Sequence, residues 1–221
     1  MVKPGAVVAV LCAGLAVACS SGAPAEPKAD IAKVTTVKSS FGPDFTVSEV
    51  AKTGIDPHVL AGQKLPDGLT FDPPSCAKYA TGQLVPQGTQ GNMAAVSAEG
   101  QGNRFIVIAV ETDAAVPVTE PGPDCRKVTF SGSAMRGLVE SVEAPAIDGT
   151  TTLGGVHRVL QAVVNNQART GETYNYSAHF GGVYQVIVSA NPLVLPDKPI
   201  VPVNTGRARD LLVAGVNAIR G

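Results

Sequence analysis

Residues 173–190 read T-Y-N-Y-S-A-H-F-G-G-V-Y-Q-V-I-V-S-A. Tyr174, Tyr176, Ala178 and Phe180 alternate with Thr173, Asn175, Ser177 and His179, so a strand through them presents an aromatic face and a polar one. Gly181 and Gly182 then supply the two positive φ angles that a tight type I′ turn requires, and the chain returns as a second strand. A two-stranded hairpin is marginal alone, so the rest of the chain must supply neighbouring strands and a cover for the aromatic face.

The neighbours are legible upstream. M-A-A-V-S-A-E (93–99) and R-F-I-V-I-A-V-E-T (104–112) flank G-Q-G-N, a connection of hairpin length. In the second run Phe105, Val107 and Ala109 share one face while Ile106, Ile108 and Val110 share the other, which suits a strand in the middle of a sheet. Further extended runs are expected at 126–131, 136–144 and 156–164, and a brief one at F-T-V-S-E-V (45–50).

Two helices can cover such a sheet. Ile31, Val34, Val37 and Phe41 recur at about helical spacing and predict a short first helix. After an extended Pro-rich connection at 192–203, Asn204 can cap a last helix whose Ala208, Leu211, Leu212, Gly215, Val216 and Ile219 make one apolar stripe. Pro57, Pro66, Pro73 and Pro74 punctuate an irregular stretch, with a turn of helix around S-C-A-K-Y-A (75–80) capped by Ser75. No strand is followed by a helix-length crossover. The expected fold is therefore α+β: an antiparallel sheet of about five to seven strands against an N-terminal and a C-terminal helix, as one domain over residues 29–221 without internal repeats.

The first residues belong to another class. Lys3 precedes an almost uninterrupted apolar stretch from Ala6 to Ala18, and small residues run straight into Cys19 in L-A-V-A-C. That pattern reads as a signal peptide over residues 1–18, because about 13 apolar residues fall short of the ~20 that a spanning helix needs. An ordinary secretory signal cut elsewhere, or an uncut apolar anchor, are the competing readings. L-A-V-A-C resembles the lipobox of bacterial lipoproteins, which implies lipid attachment at Cys19 and makes residues 19–28 a lipidated tether, of which Ser20–Pro27 is small, Pro-bearing and aperiodic. Cys12 leaves with the signal. Cys76 and Cys125 remain, and a compartment outside the cytosol allows them to pair. A redox pair is the rival; it normally shows as C-x-x-C or a resolving cysteine near a helix start, and neither is present.

Composition excludes some functions. The net charge is −1 with no basic stripe, so nothing favours nucleic acid. Apolar residues reach 44% against 16% charged, which is a core-forming balance. Catalytic motifs are also missing. S-G-S-A-M (131–135) lacks the glycines of a nucleophile elbow, and G-Q-G-N-R-F (100–105) has Phe105 where a dinucleotide fingerprint has its third glycine. His157 and His179 fall on separate strands that could be neighbours, yet His58 and these two show no H-x-H or H-E-x-x-H spacing, so no metal or cofactor is expected. Glu140 and Glu143 differ by three positions on one strand and point to opposite faces. The Tyr174, Tyr176 and Phe180 face either packs under the last helix or lines an apolar groove.

Several phrases resemble those of small mycobacterial lipoproteins that carry a domain of unknown function, and more loosely the PknH-like extracellular sensor domain of receptor-type serine/threonine kinases. They are the lipobox at 15–19, F-x-x-x-F-x-V at 41–47, D-P-P-S-C at 72–76, the pair Cys76 and Cys125, E-A-P-x-I at 143–147, T-Y-N-Y-S-A at 173–178, and A-x-D-L-L-x-x-x-V-x-A-I at 208–219. The resemblance implies an antiparallel sheet with helices against it, a diacylglyceryl group on Cys19, and a location on the outer face of the cell membrane; it implies no established reaction. The kinase sensors usually carry two disulfides, and here one bridge is available.

The function expected from these features is a lipid-anchored, non-enzymatic binding or sensor-like module whose partner is the membrane, through Cys19, together with an unidentified protein or hydrophobic ligand. A carrier of acyl lipid or cell-wall glycolipid is the alternative, and would need a large apolar cavity; a deep pocket walled by strands 104–112 and 157–164 would favour it. A hydrolase is the third reading, and would need a buried, perturbed carboxylate or histidine beside an exposed nucleophile, as a cleft with His157 or His179 within hydrogen-bond reach of a Ser or Thr and an acid would offer.

Overall fold

The computed structural model describes residues 28–56, 65–82, 85–86, 88–118, 120–164, 167–196 and 198–221. The expected signal peptide, Cys19, the tether through Pro27, and His58 lie outside the described residues.

Among the described residues, nine strands make one antiparallel sheet. They are β1 (Phe45–Gly54), β2 (Thr70–Asp72), β3 (Gly91–Gly100), β4 (Asn103–Thr112), β5 (Lys127–Ser131), β6 (Met135–Val142), β7 (Thr151–Val164), β8 (Gln167–Phe180) and β9 (Tyr184–Pro192), in the order β1-β3-β4-β9-β8-β7-β6-β5-β2. The expectation of about five to seven strands was too low. The unforeseen strand is β2, whose three residues bury Phe71 alone and are too short to show alternation. It pairs with β5 at the edge opposite β1.

The apolar run of β4 sits inside the sheet as expected, between β3 and β9. Its Phe105, Val107 and Ala109 join the main core, while Ile108 and Val110 join a smaller cluster on the other face. The β3–β4 turn is Gln101-Gly102, with φ of 51° and 77°, as a two-residue primed turn demands. The β8–β9 hairpin differs from expectation. Gly181 and Gly182 have φ of 58° and 73°, but Phe180 pairs with Tyr184, so the loop holds three residues. Thr112 engages the third: its backbone N–H donates to the Val183 carbonyl at 2.9 Å, one position beyond the Glu111–Tyr184 pair of the β4–β9 ladder, while its hydroxyl donates to the Ala114 carbonyl at 2.7 Å.

The first helix forms over Ile31–Ser40, but as a 3-10 helix. Ile31, Val34 and Val37 recur every three residues, so a helix of three residues per turn stacks all three on one line facing the core, where they are buried. The hydroxyls of Thr35, Thr36 and Ser39 donate back to carbonyls three residues earlier, which suits the same tight winding.

The closing helix, Thr205–Arg220, matches its expectation residue for residue. Asn204 caps it by accepting from the Arg207 N–H at 2.9 Å, and Ala208, Leu211, Leu212, Gly215, Val216 and Ile219 are buried. A methyl at Gly215 would lie 2.9 Å from Val186 Cγ1 and 3.2 Å from Val107 Cγ1, so the glycine lets the helix approach β9 and β4 closely. The two helices pack on each other and cover one face of β1, β3, β4, β9 and β8.

The other face carries the irregular segment. A 3-10 turn, Pro74–Cys76, runs into a short α-helix, Ala77–Thr81. Ser75 lies within that turn and does not cap it: Pro73 occupies the cap position, with no side-chain hydrogen bond. Cys76, buried, is bonded to Cys125, as expected of the one available bridge. Tyr79 reaches Ser141 at 2.9 Å, and Arg158 donates to the Ala80 carbonyl, so the helix is tied to β6 and β7 over Phe71, Val128, Phe130 and Val139.

Candidate functional site

The covering helices leave the same face of β7, β6, β5 and β2 open, and there the register lays out cross-strand rows. The outermost is Thr70–Ser131–Arg136–Gln161–Thr170. Next come Asp72–Thr129–Leu138–Val159–Glu172, then Lys127–Glu140–His157–Tyr174, and lastly Val142–Gly155–Tyr176, where the main core begins. Directly opposed side chains on one face lie within contact distance of each other, so each row acts as a strip of surface.

The first two rows floor an open trough of about 510 Å³. Leu138 and Val159 lie side by side at its centre, with the hydroxyls of Thr70, Thr129, Ser131 and Thr170 around them. Asp72 stands toward one edge, and Arg136 donates to Gln161 Oε1 at 2.8 Å on the other side. The surface is apolar at its centre with hydrogen-bonding groups at the margin, as ligand-binding depressions usually are.

The third row is a charged wall. His157 Nδ1 lies 3.1 Å from Glu140 Oε1 and its Nε2 lies 2.9 Å from Glu172 Oε1, while Lys127 Nζ approaches Glu140 at 4.0 Å. The ring is stacked on Tyr174, with centroids 4.2 Å apart and planes 9° from parallel. Burial, and then the charge of Glu172, push the Tyr174 hydroxyl up from its usual range. Glu140 was visible in the sequence, but Glu172 was not. It reaches His157 diagonally, one row over, and only the β7–β8 register brings them together.

Among the described residues the wall does not bring a Ser or Thr together with His157 and an acid. Both nitrogens of His157 face carboxylates, and its hydrogen-bond partners include no Ser or Thr. His179 lies on the opposite face of β8, where burial lowers its pKa to about 4 and Gln185 Nε2 donates to its Nε2 at 3.2 Å. The two histidines that could have been neighbours are thus separated by the sheet itself. Among the described residues no group of three or more His, Cys, Asp and Glu could hold a metal ion; at His157 the imidazole stands between the carboxylates, so the three donors do not converge on one point.

The aromatic face resolves into core. Tyr176 and Phe180 are buried beneath the helices, with the Arg220 guanidinium 4.4 Å above the Phe180 ring centre, and Tyr174, partly buried, packs against the same core and stacks on His157. The pocket that strands 104–112 and 157–164 could have walled does not form, because β9 and β8 lie between β4 and β7 and β4 is packed on both faces.

A family model described as a domain of unknown function, DUF5642, matches residues 30–220. The chain belongs to the DUF5642 family. The match spans the 3-10 helix, all nine strands and the closing helix, so the trough and its wall are part of the DUF5642 unit. The fold is also similar to the X-ray structure of an uncharacterised protein, an Rv0999 ortholog, from Mycobacterium smegmatis. The two are 58% identical, with a TM-score of 0.82 over 89% of this chain and 100% of that one. No curated protein matches this DUF5642 chain.

Proposed function

We propose that this DUF5642 protein is a lipid-anchored, non-enzymatic binding module, sensor-like in plan, that displays its trough from the outer face of the cell membrane. The observation that carries the binding reading is the uncovered Leu138–Val159 floor with Asp72, Arg136 and four hydroxyls around it. A sheet half that served only the core would be expected to bury such a pair. The lipobox at 15–19, the tether behind it and the disulfide support an anchor outside the cytosol. The hydroxyls and charges suit a polar chain that also offers an apolar side, such as an envelope glycan or an extended peptide. The carrier of a hydrophobic ligand is the second reading, favoured by Leu138 and Val159 themselves.

Native mass spectrometry of the mature protein from an actinobacterial host, repeated under denaturing conditions, tests the binding reading. A companion mass that disappears on denaturation, and that is absent from Val159→Trp, is the expected result, and its identity separates glycan or peptide from lipid. A companion retained equally by Val159→Trp, or none in either protein, contradicts a binding role for the trough.

A further inference from the structure

Of the six large apolar side chains that stand exposed among the described residues, four fall within eight residues of one connection: Val194, Leu195, Ile200 and Val201, at 66, 42, 55 and 43% exposure. Scattered exposed Val or Leu is ordinary, but this concentration is not. The connection is also fixed in place. Leu193 N–H donates to the Gly102 carbonyl at 2.8 Å, Asn103 Nδ2 donates to the Pro202 carbonyl at 3.3 Å, and Val201 packs against the bare Cα of Gly102. The Lys198 N–H donates to the Leu195 carbonyl at 3.4 Å, and on either side stand two apolar pairs, Val194-Leu195 and Ile200-Val201, each next to a proline. Such a projection is built to present apolar groups.

The chain indicates what they meet. Twenty-seven residues precede the described part, including the apolar run Ala6–Ala18 and Cys19, and the described chain begins beside the far end of the closing helix, where Asp30 N–H donates to the Ile219 carbonyl. That helix spans about 24 Å between its entry and the projection. The nine residues from Cys19 to Lys28 reach about 30 Å when extended, so a surface holding Cys19 lies within reach of the projection. We propose that the 193–203 connection is a second membrane contact, which rests its apolar pairs in the bilayer interface and so fixes the orientation in which the trough is displayed; the proposal rests on the outer-face reading above. Asp197 and Lys198 cancel in charge, so the contact is apolar rather than electrostatic.

The solved relative is matched over its whole length by 89% of this chain, so a domain of this fold stands without the remainder of the sequence. The test therefore uses residues 28–221, which lack Cys19, with phosphatidylcholine vesicles, and its outcome is independent of whether Cys19 carries lipid. The domain is expected to float with the vesicles equally at about 0.1 M and 1 M salt. The Val194→Asp, Leu195→Asp, Ile200→Asp triple variant should float at least about tenfold less, at an unchanged melting temperature because the three side chains are exposed. Absence of flotation, flotation abolished by salt, or flotation of the variant equal to that of the parent would each overturn the proposal.

Discussion

The side-chain oxygen of Asn103 accepts the backbone N–H of Asn204 at 2.7 Å, joining residues 101 apart in sequence. The same buried side chain donates to the Pro202 carbonyl, so one asparagine fixes the apolar connection and the start of the closing helix to the β3–β4 turn. Asn103→Ala removes both bonds and, because Pro202 and Asn204 are themselves exposed and can turn to water, should cost about 1–3 kcal/mol. Urea unfolding monitored by circular dichroism measures it, and a loss below about 1 kcal/mol would mean that the backbone alone sets the connection.

The bridge between Cys76 and Cys125 closes a loop of about 50 residues, for which the chain-entropy account gives about 4 kcal/mol. Cys76→Ser should lower the melting temperature well beyond the effect of a surface substitution. An unchanged melting temperature would show that the bridge contributes nothing to the folded state.

Gly137 sits where β5, β6 and β7 crowd together, and a methyl there would run into the Val159 carbonyl oxygen and the Phe130 ring. Gly137→Ala is expected to lose about 2–3 kcal/mol, since neither a ladder carbonyl nor a buried ring can yield freely. Because Val159 also floors the trough, the same variant should weaken retention of any companion seen in the native mass spectrum.

His179 makes the fold acid-sensitive. Its pKa is lowered by burial to about 4, beneath the value near 6.5 of an unfolded histidine, so the unfolded chain binds the extra proton first. Its contribution is fully present above about pH 6.5, declines as pH falls, and is lost near pH 4; with its partial exposure allowed for, up to about 2 kcal/mol is involved. His179→Gln should flatten this part of the stability–pH curve relative to the parent. Parallel curves between about pH 4 and 6.5 would contradict the assignment.

The parts of the fold that were legible in the sequence are those where one residue pattern decides. The closing helix was readable to the residue because its cap and stripe are both local, and β4 announced its central place through apolar residues at both parities. The 3-10 winding of Ile31–Ser40 was also present in the spacing of Ile31, Val34 and Val37, although a period of three is easily taken for an α-helix. By contrast, β2 acquires its identity from pairing with β5, and Val183, the third loop residue, is engaged by Thr112 of β4. The trough was invisible for the same reason. Leu138, Val159, Asp72 and Arg136 come from three strands, and only the register makes them neighbours. Glu172 needed that register too, to reach His157.

The anchor is the claim on which display of the trough depends, and fractionation of actinobacterial cells combined with intact mass tests it most directly. The account predicts a parent protein that has lost residues 1–18, carries a diacylglyceryl-type addition on Cys19, and stays with membranes until detergent is added, while Cys19→Ala moves to the soluble fraction. A parent protein without the added mass, or a Cys19→Ala protein that has lost its leader and still sediments with membranes, would contradict it.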